Sequence, residues 1–457
     1  MSGQNTQPSK SQFASVFGFL MTAIGYAVGL GAIWRFPYMI GNNGGGAFLL
    51  LMIIMSAVIA IPLAMCEMTM GRTSAVTPIV AMRNFCGIKS SFWTIIGWLG
   101  ALASTLLMSY YVMITGNVAH YFILTLKGAF AGKTAADMSV IYNNIVSCTP
   151  MILAYNVALL CSVAFIIARG VSGGLEKFSK IALPTLFVCM VICAVHSLKL
   201  PAAGQAVKWF LTPDFSKITP PLLLDCLSQT IFLAGIGFAS LFCFGSYLPK
   251  SVDLPKSALI IVESNVVIAL LAGFIIFPAV FSFGLSPSSG SSLVFQTMPM
   301  LFANMSGGMF FGPLFFLCLF IAAFSTCLGL TEGVTACISD YLNMSRKTVA
   351  WAVCGTITLL SLLPTLCYTP VLGNVRLFGK DLFTLLDFLA SYVLILVGGF
   401  LIVLFCIFKW GYDEFMKNVN EGARLFTIKK WMHPLFSVVC PLIIAVVFII
   451  GVKAMFF

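Results

Sequence analysis

Charge is what this sequence has least of. Of 457 residues only 9% are Asp, Glu, Lys or Arg, and just three are histidine. Acidic residues number 14 against 25 basic ones. A soluble domain of this size carries about a quarter charged residues, so a soluble globular protein is excluded. The shortage of histidine argues against a His-based metal site. Fifteen cysteines are scattered through apolar segments without paired metal-ligand spacing, which reads as small apolar filler in membrane helices. The chain has no His-Glu-x-x-His helix and no Gly-x-Ser-x-Gly elbow, so an intramembrane enzyme lacks its usual zinc or nucleophile set.

What is present is apolar. Hydrophobic residues make up 60% of the chain and the mean hydropathy is +1.04. Eleven apolar segments approach or exceed the roughly 20 residues needed to cross a bilayer. They lie near 13–40, 47–70, 91–125, 149–168, 174–198, 221–247, 256–283, 309–339, 348–368, 382–408 and 434–456. The fold class expected is an all-α polytopic membrane protein of about eleven transmembrane helices. A polar tail (1–12) precedes the first span, which reads as a retained span and not a cleaved signal peptide. The net charge of +11 implies basic cytoplasmic loops and no nucleic-acid partner. With the N-terminus inside, sixteen Lys and Arg fall on the inner side and eight outside, the bias of a cytoplasmic N-terminus.

The first segment is interrupted. Its centre reads Gly25-Tyr26-Ala27-Val28-Gly29-Leu30-Gly31, followed by Arg35. Unwound backbone at mid-membrane survives only where it is buried or lines a cavity, and a charge there marks function. The sixth segment repeats the device at Ala234-Gly235-Ile236-Gly237. Two glycine-broken spans five apart predict a 5+5 inverted repeat, 13–198 and 221–408, plus an additional helix at 434–456.

At these residues the chain resembles the neurotransmitter:sodium symporter family. The resemblance is carried by the Gly-Leu-Gly break with Trp34-Arg35-Phe36-Pro37-Tyr38, by Asn43-Gly44-Gly45-Gly46-Ala47-Phe48, and by Glu67 with Met70-Gly71-Arg72. Ser109-Tyr110-Tyr111 and Leu330-Thr331-Glu332-Gly333-Val334-Thr335 add to it. The short loop between spans three and four resembles prokaryotic members, which implies a bacterial cytoplasmic (inner) membrane.

The resemblance implies sodium-coupled secondary transport by alternating access. Substrate contacts would come from Tyr26, Ala27, Leu30, Gly31, Leu107, Tyr111, Phe232, Gly235, Phe238, Thr326 and Leu330, with carbonyls of Ala27 and Phe232 receiving an ammonium group. Gly29 stands where the monoamine branch has aspartate, so the substrate would bring its own carboxylate, as a neutral amino acid does. A sodium ion would sit on Gly25, Val28, Ala322, Ser325 and Thr326. The first sodium site of the family is degraded: Ala32 and Leu233 offer no side-chain oxygen, and only Asn265 remains. The chloride ligands are likewise incomplete, with Gln229 and Asn265 kept but Met52 and Ala269 at other positions. Arg35 with Asp387 matches the outer gate, and Lys10 with Asp340, supported by Tyr247, matches the inner one. Glu67 and Glu332 are expected to approach and share a proton. The alternative is sodium-independent or proton-coupled transport of an amino acid or amine on the same fold. No feature of the sequence specifies an oligomeric state.

Overall fold

The computed structural model describes residues 12–87, 92–287 and 293–456. Nine helices among them are long and apolar enough to cross a membrane: Gly46–Ser74, Phe92–Leu126, Thr149–Ala168, Val171–Ser197, Leu254–Ser282, Gly308–Leu342, Arg346–Leu366, Leu382–Val419 and Lys430–Lys453. The two other expected spans are the broken ones. The first comprises Val16–Ala27 and Gly31–Asn42, bent by 48°. The sixth comprises Pro220–Leu233 and Ser240–Ser246, too short singly to span. All eleven expected segments are therefore helical, and the chain is a multi-pass membrane protein. The tail expected over 1–12 lies, apart from Gln12, outside the described residues.

Why the two spans break is visible in the backbone. In the sixth, Gly235 and Gly237 adopt φ of +67° and +85°, and Ala239 follows at +63°. Left-handed backbone cannot continue an α-helix, and glycine adopts it without a Cβ penalty. In the first, Val28 leaves helical geometry at ψ 77° and the Leu30 N–H leaves the helix ladder altogether.

The long eighth span, Gly308–Leu342, packs along the third, Phe92–Leu126, and both are mostly buried. The broken first span lies against the fifth and eighth. The eleventh span is the least buried of the long helices, consistent with a peripheral place. Outside the membrane helices, Arg376–Leu377 and Lys380–Asp381 form a two-stranded antiparallel hairpin.

Candidate substrate and ion site

The two breaks meet at one small cavity. Tyr26, Ala27, Gly29, Gly31, Leu107, Tyr111, Phe232, Gly235, Phe238, Thr326 and Leu330 line about 20 Å³ of space. Ten of these eleven residues were expected from sequence; Gly29 enters as lining as well. Leu30, expected for its N–H, lines the vestibule above and donates that N–H to the Tyr111 hydroxyl at 2.9 Å. The expected carbonyls are partly engaged, since Ala27 O accepts the Gly29 N–H at 3.0 Å and Phe232 O accepts the Gly235 N–H at 3.1 Å. Each keeps a second lone pair.

Gly29 is required by contact. A Cβ there would lie 2.6 Å from both Thr326 Oγ1 and the Tyr111 hydroxyl. Tyr26 fills the opposite wall. Its hydroxyl donates to Gly235 O at 2.6 Å, tying one break to the other. Its ring sits where a Cβ on Gly235 or Gly329 would fall.

Beside the cavity, oxygens gather without a carboxylate among them. Thr326 Oγ1 donates to Tyr26 O at 2.9 Å and lies 3.5 Å from Gly25 O. Ser325 Oγ donates to Ala322 O at 2.9 Å, and its Cβ would sit 3.3 Å from one added at Gly25. Hydroxyl and carbonyl oxygens are the donor type a hard cation takes. Gly25, Ala322, Ser325 and Thr326 therefore fit a sodium ion in chemistry; Val28, expected there through its carbonyl, is the residue at which the first helix ends. Of the residues expected at the first sodium and chloride positions, Asn265 Nδ2 donates to Ile261 O at 3.2 Å and Gln229 Nε2 to Gly31 O at 3.0 Å. Leu233 fills the space next to Gly31, 3.0 Å from where a Cβ would be.

Above the cavity lies a vestibule of about 190 Å³. Arg35 and Asp387 both line it. Arg35 stacks over the Phe232 ring, 4.8 Å from its centroid. Asp387 accepts hydroxyls from Tyr110 at 2.6 Å and Ser391 at 2.8 Å. No ion pair within 4 Å joins them among the described residues.

At the opposite end Lys10 lies outside the described residues, and Asp340 accepts the Thr77 N–H at 3.1 Å. The expected Glu67–Glu332 pair is not formed as a hydrogen bond. Glu67 Oε1 accepts the Gly237 N–H at 2.7 Å, at the sixth-span break, and Oε2 has no partner. Glu332 instead forms an ion pair with Arg346 and accepts the Tyr247 hydroxyl at 2.9 Å. The reason is electrostatic: a guanidinium is a far better partner for a buried carboxylate than a second carboxylate. Tyr247 thus supports Glu332, and the same Arg346 donates through Nε to Ile167 O at 3.0 Å.

One residue was missed by sequence reasoning. Glu176 is fully buried and accepts the Ala14 N–H at 2.7 Å, the Ser15 hydroxyl at 3.0 Å and Lys180 at 2.6 Å. Ser15 in turn caps the first helix by accepting the Gly18 N–H. The available signal was an acid four residues before a lysine inside an apolar segment.

Residues 10–151 and 146–456 match the family described as Sodium:neurotransmitter symporter family. The chain belongs to that family. It is 34% identical over 441 residues to the sodium-dependent transporter YhdH of Bacillus subtilis, covering 96% of this chain and 97% of that one. A sodium-dependent transporter of Haemophilus influenzae is also 34% identical, over 96% and 98% of the two chains. Among solved structures, that of MhsT in complex with L-phenylalanine superposes with a TM-score of 0.88 at 32% identity, covering 96% of this chain and 99% of that one. As a symporter of this family the protein is sodium-dependent and a transporter, not an enzyme.

Proposed function

We propose that this symporter imports a neutral amino acid, coupled chiefly to the sodium bound by Gly25, Val28, Ala322, Ser325 and Thr326. One observation carries the substrate class: at the first break the Leu30 N–H and the Tyr111 hydroxyl meet beside Gly29, in a cavity lined by no charged side chain. The start of the C-terminal half-helix favours an anion, and no acidic side chain supplies one, so the substrate carboxylate does. The remaining lining is apolar, which suits an uncharged side chain. MhsT, the structural relative, is itself bound to an amino acid.

In this reading sodium ties the first span to the eighth through Thr326, which also borders the substrate. Phe238 and Tyr111 close over the substrate, and Arg35 and Asp387 approach across the vestibule. Lys10, Asp340 and the Glu332–Arg346–Tyr247 cluster hold the opposite side until sodium leaves. The N-terminus faces the cytoplasm of a bacterial inner membrane.

The test is a thermal-shift screen of the purified protein against twenty amino acids and several amines, in sodium and then potassium. Ligands that bind the folded state raise its stability. Stabilisation by neutral amino acids in sodium only is the expected result. A response only to amines overturns the carboxylate argument. A response equal in potassium favours the proton-coupled alternative, for which the unpartnered Glu67 Oε2 is the specific observation. Glu67→Gln would then abolish pH-dependent uptake, and on the sodium reading it leaves the sodium dependence intact.

A further inference from the structure

A second, larger hollow lies on the face of the molecule where the first span begins, far from the substrate cavity in the sequence of elements. It measures about 580 Å³ and is lined by Val16 and Leu20 of the first span, Ser251, Asp253, Lys256 and Ile260 around the start of the seventh, and Arg424 with Leu425 from the connection to the eleventh. Its residues divide by chemistry. Lys256, Arg424, Ser251 and Asp253 supply its polar lining. Val16, Leu20 and Ile260 form a wall, with Ile260 one helical turn, about 6 Å, deeper than Lys256.

Basic charge exceeds acidic charge in this lining, two side chains against one. Asp253, the one acid, spends its carboxylate on backbone: Oδ1 accepts the Lys256 N–H at 3.0 Å, and Oδ2 accepts the Arg424 and Leu425 N–H groups at 2.8 and 3.0 Å. Neither the Lys256 ammonium nor the Arg424 guanidinium has a carboxylate within 4 Å among the described residues. The neighbouring Lys250 is already paired with Glu421 at 3.4 Å. Meanwhile Val16 is 51% and Leu425 59% exposed. Two basic side chains without a salt bridge among the described residues, lining one hollow with Val16, Leu20 and Ile260 at a membrane boundary, match a ligand with an anionic head and an acyl tail. The sequence preceding Gln12 contains Lys10 and no acid, so like charge disfavours it as the occupant.

We infer that this groove binds an anionic phospholipid of the leaflet adjoining the N-terminus, its phosphate held by Lys256 and Arg424 and its acyl chain along Val16, Leu20 and Ile260. Anionic lipids and basic side chains attract at the cytoplasmic surface by about 1 kcal/mol per residue, a factor of about five each. Because Val16 and Leu20 belong to the N-terminal half of the broken first span, a lipid seated here would hold that half-helix against the seventh span.

The experiment uses the full chain in neutral detergent. Its thermal midpoint is followed during titration with dioctanoyl-phosphatidylglycerol, dioctanoyl-phosphatidylcholine and inorganic phosphate. Phosphatidylglycerol should stabilise, and the other two should not. The double variant K256Q/R424Q should bind phosphatidylglycerol roughly 30-fold more weakly, from that factor of five per basic side chain. Lys133→Gln, at a distant loop, should leave it unchanged. Equal stabilisation by phosphatidylcholine, unchanged binding in the double variant, or full stabilisation by phosphate alone would each overturn the lipid site. Both substituted side chains are exposed, and the lipid-free midpoint reports whether the variants fold. Binding in detergent is independent of membrane sidedness and of the transported substrate, so failure here leaves the symporter reading untouched.

Discussion

Gly29 concentrates the substrate argument in one missing atom. A side chain there meets Thr326 Oγ1 and the Tyr111 hydroxyl at 2.6 Å, so Gly29→Ala should weaken amino-acid binding by crowding alone. Gly29→Asp adds a fixed carboxylate where the substrate's would sit, and should abolish it. Titration calorimetry with the stabilising amino acid separates the two, and a Gly29→Asp protein that still binds would refute the placement of the carboxylate. Tyr111→Phe is a gentler probe. It deprives the Leu30 N–H of its acceptor, and an orphaned buried donor costs about 1–3 kcal/mol. The expected result is a lower thermal midpoint together with binding weaker by about tenfold or more, since in the proposed pose the lost hydroxyl also faces the substrate.

At the scale of elements, the helix starts on the N-terminal face are held by buried or half-buried carboxylates. Glu176 secures Ala14 and Ser15, and a Cβ on Gly18 would lie 1.9 Å from its Oε1. Glu176→Gln removes the charge that draws Lys180 and both donors. Hydrogen exchange over residues 12–20 should accelerate while the eighth span is unaffected. Asp253 does the same for the seventh span and for the connection at Arg424. Partial burial raises its pKa, but N–H bonds from Lys256, Arg424 and Leu425 and the nearby Lys256 charge outweigh this and hold it below the usual carboxylate range. A depressed folded pKa gives stability that is fully present above the unfolded value of about 3.9 and is lost as pH falls through the folded one. The thermal midpoint should therefore drop as the buffer goes below about pH 4, and Asp253→Asn should flatten that acid limb. These clamps show where sequence reading stops. Long apolar runs and glycine breaks are local signals, so all eleven spans were legible from the chain itself, whereas the ten cavity-lining residues named in advance came from the family resemblance. Partner choice is not local. Glu332 took Arg346 in preference to Glu67 because the ninth span brings a guanidinium to it, and Glu176 became a clamp only because the first and fifth spans pack together. Neither follows from spacing along the chain.

For the whole molecule the question is how much sodium drives each cycle. The proposed sodium site beside Ser325 and Thr326 would join the first span to the eighth, with oxygens from backbone and two hydroxyls. The second region is closed by hydrocarbon: Ala32 is fully buried, and Leu233 packs next to Gly31. Methyl groups there cannot replace water around a cation, and an ion without such replacement meets a desolvation penalty of several kcal/mol. One sodium per substrate is the expected stoichiometry. Uptake rate against sodium concentration should then give a Hill coefficient near one, and calorimetry should count a single ion. The double variant A32N/L233T returns side-chain oxygens beside Asn265, whose Oδ1 is buried without a partner. That variant should bind a second sodium and make substrate affinity steeper in sodium. Ser325→Ala should remove sodium dependence in the unaltered background and leave the single restored ion in A32N/L233T. Two ions counted in the unaltered protein would mean that backbone carbonyls and the substrate carboxylate suffice for the first site, and the reading of Ala32 and Leu233 as its loss would fall.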